Sequence, residues 1–150
     1  KLSARSDIVA KVSFFGKTIT GLSDDVRISK RLYLPSYRLR GFERGKVGPV
    51  DNDDYIGGNH LTALNMSATL PNILEGLDNL DVGIFFDAAN IWGIDYNSSL
   101  DDKSTIRSSA GVALNLMTPI GPLSFSFANA LSKASSDKTE TFRFNLGTQF

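Results

Sequence analysis

Along six stretches of the chain, most of them ten or more residues long, apolar and polar side chains alternate. A period of two belongs to a β-strand with one apolar and one polar side. Length narrows the choice further. Strands of soluble proteins average about 5–6 residues, whereas a tilted strand crossing a bilayer needs about 9–11.

The six stretches follow one another with two kinds of connection. In residues 7–16, Ile8, Ala10, Val12 and Phe14 share one side; Asp7, Lys11 and Ser13 share the other, with Val9 and Phe15 as exceptions. Residues 59–70 set Leu64, Met66, Ala68 and Leu70 against Asn65, Ser67 and Thr69, and Pro71-Asn72 ends them because proline cannot continue a ladder. Residues 81–92 set Val82, Ile84, Phe86, Ala88 and Trp92 against Asp81, Gly83, Phe85, Asp87 and Ala89. Trp92 falls at the strand end, where aromatic rings gather at a membrane interface.

Residues 105–118 carry Ile106, Ala110, Val112, Leu114 and Leu116 against Arg107, Ser109, Gly111 and Asn115. Pro119 to Pro122 is a tight turn, both prolines being preset for a bend. The fifth strand sets Leu123, Phe125, Phe127 and Leu131 against Ser124, Ser126, Ala128 and Ala130. The sixth, residues 139–150, sets Phe142, Phe144, Leu146 and Phe150 against Arg143, Asn145, Gly147 and Gln149. Long polar loops alternate with short turns, as in barrels with long outer loops and short periplasmic ones. The expected fold is therefore all-β, six antiparallel strands whose length and loop order suit a transmembrane barrel. Periodicity alone leaves a soluble sandwich open, because there the apolar faces would meet each other instead of lipid.

Composition agrees with either. Sixteen basic and sixteen acidic side chains cancel, so no net field favours nucleic acid. There is no cysteine for a disulfide or thiolate site. No apolar run reaches the roughly 18 residues of a spanning helix, and none reads as a signal peptide. A barrel escapes both tests, since it hides its apolar surface in alternation.

The longest connection, residues 17–58, far exceeds the usual loop of about 2–6 residues and should be functional or disordered. Leu32, Tyr33, Leu34, Tyr37, Leu39 and Phe42 make it too apolar for a solvated linker. It is expected to fold back into a polar cavity with Arg40 as anchor. Gly41 permits a tight turn, and Phe42 can pack beside it. A guanidinium in such a cavity needs a planar acceptor, and Asp87, mid-strand on the inward face, is the natural one.

No enzyme constellation appears. With one histidine, His60, and no cysteine, nucleophilic catalysis has little to work with. Asp51-Asn52-Asp53-Asp54 lacks the glycine and bidentate glutamate of a calcium loop and reads as a solvated tip. Asp101-Asp102 likewise reads as solvated charge. Neither a metal nor another cofactor is expected.

Three stretches together carry a family resemblance: Arg40-Gly41-Phe42 followed by Gly57-Gly58-Asn59 and a strand, residues 85–92, and residues 117–128 with the ending 142–150. In that order they resemble the C-terminal barrel of the BamA-like outer-membrane assembly family. Its superfamily also includes two-partner secretion transporters and organellar import barrels. The resemblance implies six strands of a barrel of about sixteen, residues 1–150 forming part of one domain, with the long loop in the lumen. It implies a place in the bacterial outer membrane, further strands and periplasmic domains elsewhere in the parent chain, and accessory lipoproteins. Its partners would be membrane lipid and unfolded outer-membrane clients, inserted without ATP.

It also implies residue roles. The loop Arg meets the inward Asp, which is Arg40 with Asp87. Where some relatives add an inward Glu on the preceding strand, the matching position here is read as Ser67. Phe142, Phe144, Leu146, Gly147 and Phe150 form the terminal strand that marks barrels for assembly and closes only weakly on the first strand. The alternatives are a secretion transporter for one dedicated substrate and a soluble β-sandwich binding module.

Overall fold

The computed structural model describes residues 8–71, 79–100 and 105–146. Its strands are β1 (Val9–Thr18), the two-residue pair β2 (Val50–Asp51) and β3 (Asp54–Tyr55), β4 (His60–Pro71), β5 (Leu80–Trp92), β6 (Arg107–Thr118), β7 (Gly121–Ser132) and β8 (Phe142–Leu146). Six of them form one antiparallel sheet in the order β1-β4-β5-β6-β7-β8. All six expected strands have a counterpart in one sheet among the described residues, and the expected alternation of faces holds along them apart from one irregularity where β6 meets β7.

Each parity has its own side. Val12, Phe14, Met66, Ile84, Val112, Phe127, Leu131, Phe142, Phe144 and Leu146 lie exposed on one face. Phe125 adds ring contacts to Phe142 and Phe144, with centroids 6.4 and 5.2 Å away. In water such a face would be a liability, because monomers rarely expose apolar patches beyond a few hundred Å². Facing lipid, it costs nothing. β5 has thirteen residues, so it runs about 43 Å along its length, enough to cross a hydrocarbon core of about 30 Å at a steep tilt.

The other face is less uniformly polar than its sequence suggests. Leu61, Ala63, Ala89 and Ile91 share the parity of Asn65 and Asp87, yet form a buried core with loop residues Leu32, Leu34, Leu39, Phe42 and Val47. The cavity expected to be polar is apolar at this end. The loop needs it: a segment this long stays in place by burying side chains, and Leu39 and Phe42 are each 1% exposed. Phe15, an exception to the alternation of β1, packs against the same core.

The long connections all leave the same end of the sheet, and they are stitched together. Phe42 bridges Thr139, while Glu43 and Lys46 exchange backbone hydrogen bonds with Lys138. On the other side, the Val26 amide and the Asn59 side chain both donate to Asp95. These two donors hold the Asp95 carboxyl below the usual carboxylate range. The acidic run at residues 51–54 is a tight hairpin between β2 and β3, with Asn52 and Asp53 at φ 48° and 69°. Both central residues at positive φ define a type I′ turn, for which Asn and Asp are well suited.

The sixth stretch is shorter than expected where it is described. It becomes strand only at Phe142, because Thr139 is taken up in the bridge to Phe42. Gly147 and Phe150 lie outside the described residues, as do Asp7, Asp101 and Asp102.

Candidate functional site

The register brings Asn65, Asp87 and Ser109 into one row across β4, β5 and β6, each directly opposite the next. The pairing of β6 with β7 shifts by one residue between Ser108 and Ser109, an irregularity of the kind that re-aims a side chain beside a site. Arg40 lies across this row.

Its guanidinium grips Asp87 with two hydrogen bonds, Nε to Oδ2 at 2.7 Å and Nη2 to Oδ1 at 2.8 Å. The Arg40 amide adds a third to Oδ2 at 3.1 Å. Asn65 Nδ2 donates to Oδ1 at 2.8 Å and, with its second hydrogen, to the Arg38 carbonyl. An ionised carboxylate has about four acceptor positions, and all four are used. That explains how Asp87 tolerates complete burial, at 0% exposure. Ser109 donates to the Arg40 carbonyl, so the backbone of the loop is held on both sides.

Two neighbours make room for this grip. The Phe85 ring lies under the guanidinium, its centroid 3.5 Å from Arg40 Cζ. Phe85 in turn sits opposite Gly111, where an added Cβ would fall 2.7 Å from the ring and 2.0 Å from the Phe127 carbonyl oxygen. Gly41 holds φ at +85°, and a Cβ there would stand 2.9 Å from that of Ala128. Gly41→Ala should therefore lose about 2–4 kcal/mol of stability, part from the left-handed backbone and part from the clash. Adding Ala128→Gly should restore the clash term alone. Thermal unfolding of the full-length barrel checks this, and no rescue at all would count against the contact.

Arg40, Gly41, Phe42 and Asp87 thus meet in one cluster. Ser67 does not take the place expected of it: it lies opposite Phe85, one inward position away from the row, and Asn65 is the residue on the preceding strand that holds the carboxylate. The parity was right and the register was off by two, which alternation cannot detect.

Three further arginines went unassigned. Arg143 of β8 pairs with Glu140 and donates to the Ser36 and Phe42 carbonyls at 2.7 and 2.6 Å. It clamps the loop from the far side. Arg38 stacks on Phe15 at 4.6 Å and donates to Ser13. Arg107 and Asp137, both 0% exposed, form a 2.8 Å ion pair under the third loop, where Asp137 also accepts from the Gly48 and Ala134 amides. Each arginine stands on the inward parity or in the loop, so the signal was there, but nothing in spacing named their partners.

A sheet apolar on one side from β1 to β8, built of strands of up to thirteen residues, with a long loop fastened to its polar side, is the wall of a membrane-spanning β-barrel. The chain belongs to the Omp85 superfamily, whose domain matches residues 2–150, and so to the bacterial outer membrane. It is 33% identical over 141 residues to the outer membrane protein assembly factor BamA of Neisseria meningitidis, covering 75% of this chain and 17% of that protein. To BamA of Neorickettsia risticii it is 29% identical over 146 residues, covering 95% and 19%. The crystal structure of Haemophilus ducreyi BamA lacking POTRA domains 1–3 superposes with a TM-score of 0.75 at 27% identity, over 90% of this chain and 30% of that one. The chain thus spans under a fifth of the length of these two curated relatives.

Proposed function

We propose that this chain is part of the barrel of an outer-membrane protein assembly factor, which inserts and folds other β-barrels into the bacterial outer membrane. The similarity to two proteins so named supports the activity. The observation that carries the local role is the four-fold satisfied Asp87 under Arg40. It fastens the long loop inside the lumen and keeps β4, β5 and β6 in register.

Assembly on this reading uses no catalytic group, metal, nucleotide or nucleic acid. Incoming strands are templated by backbone pairing at a weakly closed seam involving the Phe142, Phe144 and Leu146 strand, while the barrel disturbs the lipid around it. Periplasmic domains of the same parent chain and accessory lipoproteins would deliver unfolded clients. Depletion of the full-length protein in its own cell, followed by quantification of all outer-membrane barrels, tests the proposal. A broad fall across unrelated barrels is the expected result. Loss of one secreted protein with the other barrels intact would instead identify a dedicated transporter of the same superfamily.

A further inference from the structure

Between the anchor and the short-turn end of the sheet, the polar face holds an open cavity of about 320 Å³. Lys11, Arg38, Arg40 and Arg143 line it together with serine and asparagine side chains, and among the described residues no carboxylate does. Two of these cations are neutralised, Arg40 by Asp87 and Arg143 by Glu140. Arg38 and Lys11 pair with no carboxylate among the described residues. Asp81 shares the face, opposite Asn115, but does not line the cavity.

Arg38 is also held ready for a ligand. Its ring contacts to Phe15 and Tyr37 and its Nη1 bonds to Ser13 and Asn65 fix the guanidinium at the cavity wall. Ser13 is two residues from Lys11 on the same side of β1, which brings the two charges onto about 7 Å of strand. A fixed, unneutralised guanidinium beside a second cation, walled by hydroxyl and amide donors, is the chemistry that binds an oxyanion. We propose that this cavity is an oxyanion-binding site, taking a carboxylate, sulfonate or phosphate group at Arg38 and Lys11. It rests on the polar face being the inner wall of the barrel and is independent of any assembly activity.

The test uses the full-length protein with Ser67→Cys as its one accessible thiol. Ser67 lines the cavity directly opposite Lys11, and this segment has no cysteine of its own. Rates are compared for a sulfonate-bearing and a trimethylammonium-bearing methanethiosulfonate, each normalised to a small free thiol. The sulfonate reagent should be favoured about tenfold, and Arg38→Gln with Lys11→Gln should bring the ratio back to that of the free thiol. Lys11→Gln alone, at an exposed position, should shift it in the same direction if the double variant folds poorly.

Sulfate should slow the sulfonate reagent more than chloride does at equal ionic strength. A thiol that does not react, a ratio untouched by the variants, or equal slowing by both salts would each overturn the site. Cell growth on the same variants is scored separately, so a failed assembly reading and a failed anion site give different results.

Discussion

Arg40→Ala and Asp87→Ala should each destabilise the folded barrel by about 3–5 kcal/mol, while the double variant should lose clearly less than their sum. The two costs have different origins. Asp87 is 0% exposed, so removing Arg40 leaves a buried carboxylate with only the loop amide and Asn65 to satisfy it. It must then pull in water to fill the vacated acceptor positions. Arg40 is 23% exposed on its side chain, so without Asp87 it can turn toward the cavity and rehydrate, but its own amide and Asn65 Nδ2 then lose their acceptor. Arg40→Lys should fall between wild type and alanine, because a lysine keeps the charge but cannot make the paired grip of Nε and Nη2. The check is chemical unfolding of the full-length protein in lipid or detergent. Strict additivity of the two alanine variants would mean that the pair contributes nothing by its contact.

The second large effect lies under the third loop, and it should behave differently. Arg107→Ala and Asp137→Ala each break an ion pair whose partners are both fully buried, at a cost of about 3–5 kcal/mol. Asp137, however, also accepts from two backbone amides, those of Gly48 and Ala134. Removing it orphans both, at about 1–3 kcal/mol for each unsatisfied group. The double variant should therefore stay near Asp137→Ala, with little recovery. Asp137→Asn should recover part of the loss, since its amide oxygen can still accept. The same unfolding measurement decides it: a double variant close to wild type would show that the amides find other partners.

Much of this architecture was legible because a two-residue period states both the strand and its face. The faces of Val82 to Trp92 follow from parity alone, and so does the inward position of Asp87. What parity cannot carry is register between strands far apart in sequence. Ser67 and Asn65 have the same parity and differ only by one inward step, and only the observed pairing puts Asn65 opposite Asp87. The same limit hid Arg143, whose carbonyl partners Ser36 and Phe42 lie more than a hundred residues away in the chain. The apolar patch of Leu61, Ala63, Ala89 and Ile91 was missed for another reason. A small or apolar residue on a polar face looks like noise until a loop is known to cover it.

The placement of the anchor also ties strand alignment to loop closure. Arg40 precedes the rest of its clasp in the chain: Asp87, its supporting Asn65, and Ser109 sit on later strands, and Arg143, which holds the neighbouring Phe42 carbonyl, comes later still. Contacts with β1 hold the loop through Arg38, but the grip on Asp87 is complete only when β4, β5 and β6 are paired in register. A slip of one residue in any of them would present the wrong side chain to the guanidinium. The clasp therefore fits only where these three strands are aligned as observed, and its ion pair favours that register over its neighbours.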